Sequence, residues 1–322
     1  MARYTRLRDD IICIDTEQHR PRLAASYLIG GDGHYAFIES GTSRSVPSLL
    51  QVLDRFAIPR NAVDYVMPTH VHLDHAGGAG ALLRELPQAR LVIHPRGARH
   101  MIDPAQLIAG ATAVYGEAAM RATYGEIVPV PEARVIVADV APDRDFFLRL
   151  GNRPLRFIDA PGHARHHYAI WDEASRGWFT GDVFGLSYRE FDDAHGAYLI
   201  PTTSPTQFDP VAWEATLERL LAAQPECVYL THYNRVDAVA ALAADLRAGL
   251  AAYQRIARAV AAAPDRHARL YADLMDFHLA QLRQRHNPLA EARARELLDL
   301  DVEINAQGLE VWLERECKAA AH

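Results

Sequence analysis

Along this 322-residue chain the spacing of apolar positions changes near residue 236. Before that point, short apolar runs bounded by glycine, proline, asparagine and aspartate predict strands at residues 11–15, 24–29, 35–39, 63–67, 91–94 and 134–140. Further strands are predicted at 146–150, 155–159, 168–171, 178–180 and 228–230. Gly30-Gly31-Asp32-Gly33 reads as a hairpin turn, and residues 168–171 and 178–180 pair as a hairpin across 173–177. Between the strands, Val46, Leu49, Leu50, Leu53 and Phe56 recur at helical spacing. Helices are also predicted at 78–86, at 213–223 and over 104–124, the last with weak breaks at Gly110 and Gly116.

Beyond residue 236 the strand signals stop. Leu246, Leu250, Tyr253, Ala257 and Val260 form one helical stripe, and Leu270, Leu274, Phe277 and Gln281 begin another after Pro264. A third helix follows Pro288, and Gly308 is expected to separate a last short helix carrying Trp312. Strand clusters mixed with helices predict a layered α/β sandwich. The division is therefore a domain over 1–236 and a helical extension over 237–322. The extension's apolar stripes are too extensive for a tail, and must pack on the sandwich, on each other or on a second copy of the chain.

Composition narrows the function. A formal charge of −7 leaves no basic footprint, which excludes nucleic acid as the main partner. Residues 1–10 hold three arginines and two aspartates and no apolar core, and the longest apolar run, 238–244, is too short to span a bilayer. No membrane partner is expected. Cys13, Cys227 and Cys317 are few, odd in number and far apart, which suits reduced thiols and a cytoplasmic protein.

The chemistry concentrates in Thr69-His70-Val71-His72-Leu73-Asp74-His75-Ala76-Gly77-Gly78. Three imidazoles and a carboxylate fall within six residues, directly after a predicted strand. His70 and His72, two apart on extended chain, point the same way and can grip one ion. Asp74 and His75 lie where the chain turns into a helix and can face a second. Borderline cations such as zinc favour these ligands. His163, in Ala160-Pro161-Gly162-His163, Asp182, in Thr180-Gly181-Asp182, and His232, in Leu230-Thr231-His232, each also follow a predicted strand. Loops at one sheet edge converge, so four polar clusters at strand ends point to one site.

With these residues in view, the chain resembles the metallo-β-lactamase superfamily, marked by His-x-His-x-Asp-His followed by separated His, Asp and His ligands. The likeness covers roughly residues 10–235. It implies a four-layer αββα sandwich, here with a C-terminal helical extension, and metals at one edge of two facing sheets. By position it places His70, His72 and His163 on a first metal, Asp74, His75 and His232 on a second, and Asp182 between them. The implied cofactor is two divalent ions, zinc first, with iron or manganese as alternatives. The implied reaction is hydrolysis of a small ester, lactone or thioester by a metal-bridging hydroxide, with Asp74 orienting the water and shuttling its proton. Glyoxalase II and the lactonases look closest in ligand set. β-Lactamases of this fold commonly carry cysteine where Asp182 stands, and ribonuclease Z relatives carry a basic arm that is not seen here. The alternative from another class is a diiron oxygen-binding or redox protein. Flavodiiron relatives usually have glutamate where this chain has His72, and they append a flavodoxin domain.

The long connection over 183–210 carries Phe184, Tyr188, Arg189, Phe191, Tyr198 and the run Thr202-Thr203-Ser204. Such loops commonly wall a pocket, and Tyr188, six residues after Asp182, is the candidate hydroxyl for a substrate oxygen. His166 and His167 are read as packing near the site, and His94 and His100 carry a weaker signal still. The expected partner is a small-molecule substrate, with homo-oligomerisation through the C-terminal helices.

Overall fold

In the computed structural model, which describes residues 1–203 and 206–320, two strands open the chain, β1 (Tyr4–Arg6) and β2 (Ile11–Asp15), paired antiparallel. They begin a seven-stranded mixed sheet completed by β3 (Ala25–Gly31), β4 (His34–Ile38), β5 (Val63–Met67), β6 (Arg90–Ile93) and β7 (Val135–Val137), in that order. The pairs from β1 to β4 are antiparallel, and the pairs from β4 to β7 are parallel. A second, six-stranded sheet has the order β13-β12-β11-β10-β9-β8. Its strands are β8 (Phe146–Leu150), β9 (Arg153–Asp159), β10 (Tyr168–Asp172), β11 (Gly177–Gly181), β12 (Cys227–Leu230) and β13 (Asn234–Val236). All its pairs are antiparallel except β11 with β12.

Alternation along β2 shows why two sheets face each other. Ile11 and Cys13 join a core with Tyr27, Phe157, Tyr168, Ile170, Phe179 and Tyr229 from both sheets. Ile12 and Ile14 turn to the opposite face and join Leu49, Leu53, Leu82, Leu83 and Leu91. Successive strand residues point to opposite faces, so a strand covered on both sides reads as an unbroken apolar run. The second core is capped by α1 (Val46–Arg55), with Val46, Leu49, Val52 and Leu53 buried, and by α3 (Ala79–Glu85), which follows the single turn α2 (Leu73–Ala76). Each large side chain so buried contributes about 1.5–3 kcal/mol against the unfolded chain. Short helices α4 (Ala98–Ile102), α5 (Ala105–Tyr115) and α6 (Glu117–Tyr124) complete this region. The expected break at Gly116 falls between α5 and α6, whereas Gly110 lies inside α5.

Two units share the chain. The first comprises Met1–Ala160, His166–Gly181 and Pro225–Asp237 and holds both sheets with α1 to α6. The second comprises Pro161–Arg165, Asp182–Gln224 and Ala238–His322. It holds α7 (Pro210–Ala222), α8 (Val239–Ala259), α9 (Arg266–Gln284) and α10 (Glu291–Ala320). Asp209 caps α7 by accepting from the Val211 and Ala212 amides. Leu270, Leu274 and Leu282 give α9 its buried stripe.

One expectation is corrected here. Gly308 does not end a helix; α10 runs through it as one element. A Cβ at Gly308 would lie 2.6 Å from the Thr203 carbonyl oxygen, so the missing side chain admits Thr203. The long connection is interior as well: Phe184, Tyr188 and Phe191 are buried, and Asn305 accepts from the Thr203 amide at 2.6 Å. Ser204, part of the polar run noted in the sequence, lies outside the described residues. Among the described residues, no helix is long and apolar enough to cross a membrane.

Candidate metal centre

The histidine motif begins two residues past β5. A central acid sets its geometry. Glu39, at the end of β4 and fully buried, accepts from the Thr69 amide at 3.0 Å and the Thr69 hydroxyl at 2.6 Å. It also accepts from the Thr231 hydroxyl at 3.0 Å and meets His75 Nδ1 at 3.0 Å. One carboxylate thereby ties together the chain before His70, the ring of His75 and the residue before His232. Sequence reading took Glu39 only as the end of a strand. The signal available was an acid closing the apolar run 35–38, ahead of Ser40-Gly41.

Proton placement follows from these contacts. His75 Nδ1 faces a carboxylate and His232 Nδ1 faces the Leu23 carbonyl at 2.9 Å, so both rings carry their proton on Nδ1. Each Nε2 then acts as an acceptor, and the two lie 3.4 Å apart. Asp74 Oδ2 lies 3.5 Å from His75 Nε2 and 3.4 Å from His232 Nε2. Two imidazole lone pairs and a carboxylate converge on one point, an arrangement that repels itself and that a divalent cation satisfies. The donor set therefore fits a metal. These three residues form one of the groups whose ligand atoms all lie within 4.8 Å of one another.

His70 is fully buried, with Nδ1 3.1 Å from the Thr69 hydroxyl and Nε2 2.9 Å from His72 Nδ1. His167 stacks on His70 at 4.7 Å between ring centroids. Gly181 closes β11 with φ +49°, and any side chain there would collide with Thr69 Oγ1 and His167 Nε2. Burial, then the neighbouring His72, His94 and His100, lowers His166 to about 3, so it stays neutral at physiological pH. His94 lies 3.0 Å from Asp159 through Nε2 and accepts from the Arg96 amide through Nδ1.

The remaining two predicted ligands belong to the second unit. His163 Nδ1 lies 2.9 Å from the Thr202 hydroxyl, which turns Nε2 to within 3.4 Å of Asp182 Oδ2. Both side chains are nearly buried, and the His163 ring sits edge-on to Trp213. Tyr188 is 1 % exposed and its hydroxyl donates to Asp301 Oδ1 at 3.1 Å.

Residues 19–232 match the family model of the metallo-beta-lactamase superfamily. A curated relative, metallo-beta-lactamase fold-containing protein ST1585 of Sulfurisphaera tokodaii, is 26% identical over 220 residues, 67% of this chain and 75% of the relative. The crystal structure of ST1585 from Sulfolobus tokodaii, described as an archaeal metallo-beta-lactamase superfamily protein, covers 70% of this chain and 80% of its own at TM-score 0.56 and 24% identity. The metallo-beta-lactamase family protein TTHA1429 from Thermus thermophilus is similar over 92% of this chain and 89% of its own, with TM-score 0.61 and 19% identity. The Flv1 flavodiiron core from Synechocystis shares the fold at TM-score 0.54 and 18% identity, covering 80% of this chain and 62% of its own.

Proposed function

The chain belongs to the metallo-beta-lactamase superfamily, and from that premise we propose that it is a dinuclear metal-dependent hydrolase of a small ester, lactone or thioester. The observation that carries this reading is the convergence of Asp74, His75 and His232, with the histidine protons committed elsewhere. In the proposal His70, His72 and His163 hold one cation, Asp74, His75 and His232 hold the other, and Asp182 is shared. Zinc suits the imidazole and carboxylate set, and iron or manganese are the alternatives. When bound, a pair of divalent cations acidifies a water and stabilises charge developing on a substrate oxygen.

The protein's own part is orientation and proton handling. Glu39 fixes the His75 ring through Nδ1, and the Leu23 carbonyl fixes His232 in the same manner. The Asp74 side chain is 26 % exposed, unlike the buried histidines beside it, so its carboxylate takes the proton of the attacking water and passes it to solvent. Tyr188 is given a packing role in the proposal, because its hydroxyl is engaged by Asp301. The partner is a small molecule, with no nucleic acid and no membrane, in the cytoplasm. The C-terminal helices are the candidate surface for self-association.

A panel of small esters, lactones and thioesters, run on protein reconstituted with zinc, manganese or iron, tests the reading. Turnover is expected, rising through a pKa of about 7, and falling about 100-fold or more in Asp74→Asn. A panel silent with every metal, together with an iron-loaded protein whose visible band changes in air, would move the assignment to diiron oxygen chemistry. The likeness to a flavodiiron core supports that second reading at the level of fold.

A further inference from the structure

A strand with a neighbour on one side only leaves a row of backbone groups that can template pairing with another chain. The two sheets of the first unit have four such edges, β1, β7, β13 and β8. Three are blunted by their length, since Tyr4–Arg6, Val135–Val137 and Asn234–Val236 are three residues each. β8 is five residues long and runs in unbroken register with β9. It carries no proline, lysine or bulge, the devices that commonly protect an edge. Phe147 projects from it with 68 % of its surface exposed.

Pairing with β9 fixes which backbone groups face outward. Leu150 stands opposite Arg153 across the tight turn Gly151-Asn152, and such a turn closes on a hydrogen-bonded pair. In an antiparallel ladder, bonded pairs alternate with pairs that exchange no hydrogen bond. Phe146 and Leu148 therefore bond to β9, while Phe147 and Arg149 turn their amides and carbonyls to the open side. Among the described residues, no other element supplies a backbone partner to Phe147 or Arg149. The side chains on this edge match a second copy of themselves. Asp145, Phe147 and Arg149 alternate onto the outer face, and Phe146 and Leu148 onto the core between the sheets, where both are only partly buried. With a second β8 laid antiparallel and Phe147 opposite Phe147, Asp145 falls opposite the copy's Arg149, and Phe146 opposite its Leu148. The same register brings the outward backbone groups of the two Phe147 residues face to face. Arg149 donates to the Asn152 carbonyl at 3.3 Å, and no carboxylate pairs with it among the described residues. Asp145 has Arg156 within 3.8 Å, and a carboxylate has lone pairs enough for two guanidinium groups.

We propose that β8 is a self-association edge, at which two copies of the chain pair through residues 145–149 into one continuous sheet, about a two-fold axis at Phe147. Backbone bonds, the paired Phe147 rings and reciprocal Asp145 and Arg149 contacts hold it together. So short an edge makes a weak dimer, with a Kd of about 1 to 100 µM. The surface is distinct from the C-terminal helices, and the assignment stands apart from the hydrolase reading.

Analytical ultracentrifugation of the zinc-loaded full chain over a concentration series tests it. Reversible dimerisation is expected, and hydrogen exchange at the Phe147 and Arg149 amides should slow as the dimer fills. Arg149→Asp sets an acid opposite Asp145 on both sides of the axis and should weaken the dimer about ten-fold or more. Asp145→Arg does the same with opposed guanidinium groups. Mixed together, the two variants should form a heterodimer about as tight as the wild-type dimer, because each restores the charge pairs that the other lacks. Should Asp145→Arg fail to fold, Arg149→Asp and the amide exchange decide the matter. A chain that stays monomeric at the highest concentration overturns the proposal. So does a dimer that Arg149→Asp leaves unchanged, or one that protects amides of α8 to α10 and not those of β8. Either of those last results would move self-association away from this edge.

Discussion

His75, past β5, His232, past β12, and His278, in the middle of α9, are all buried, yet their surroundings treat them in opposite ways. His278 has the Tyr198 hydroxyl 2.7 Å from Nδ1 and the Tyr253 hydroxyl 2.6 Å from Nε2. Both nitrogens are occupied by neutral groups, and Asn305 extends the network by donating to the Tyr253 oxygen at 3.2 Å. Burial lowers His278 to about 3, so it is a neutral core residue. His75 has its Nδ1 against the Glu39 carboxylate and His232 its Nδ1 against the Leu23 carbonyl, while their Nε2 atoms converge with Asp74. Burial alone therefore does not make a ligand. What separates the two regions is acceptor atoms brought together with their protons fixed on the far side of each ring.

The largest test of this contrast is Asp182→Ala. In the proposed centre it removes the shared carboxylate, which sits 3.4 Å from His163 Nε2. Turnover is expected to fall by about 100-fold or more, and metal content toward about one ion per chain. Wild-type metal content and turnover in this variant would show that Asp182 bridges nothing.

Glu39→Gln comes next. The amide offers one acceptor oxygen to four donors and sets its own N–H groups against the rest. Metal affinity, measured by competition with a chelator, should weaken about 10- to 100-fold. An unchanged affinity would reduce Glu39 to a packing residue.

The other half of the comparison makes a pH prediction. His278 titrates lower in the folded protein than its ordinary 6.5, so the unfolded chain binds the extra proton first. Stability from this residue is complete above pH 6.5 and is lost as pH falls toward 3, by roughly 1.4 kcal/mol per pH unit. Urea midpoints at pH 7 and pH 5 should therefore differ less in His278→Gln than in wild type, with metal content at pH 7 unchanged. A slope equal to wild type would contradict the neutral-core assignment. The smallest effect is expected for Tyr188→Phe, which loses one hydrogen bond to Asp301, about 1 kcal/mol of stability, and little turnover. A large loss of kcat there would restore the hydroxyl to the chemistry.

Much of the sandwich was legible because its strands are apolar runs between turn residues. The strands at Ile11–Asp15, Val63–Met67 and Phe146–Leu150 coincide with those expected from the sequence. The misses have physical causes. Tyr4–Arg6 is a half-exposed edge strand with no apolar signature, and Asn234–Val236 is only three residues long. Gly308 reads locally as a helix breaker, but the close approach of Thr203 is a tertiary fact that no local pattern carries. The histidine motif announced itself by density. Glu39 did not, because one acid at a strand end looks the same whether it meets water or four donors.

The most direct test of the central claim is elemental analysis of the purified protein after incubation with excess zinc and removal of loosely bound metal. The account predicts two ions per chain, because seven ligand-type side chains suffice for two cations that share one carboxylate. A content that saturates at one ion per chain, or at none, would contradict the dinuclear centre.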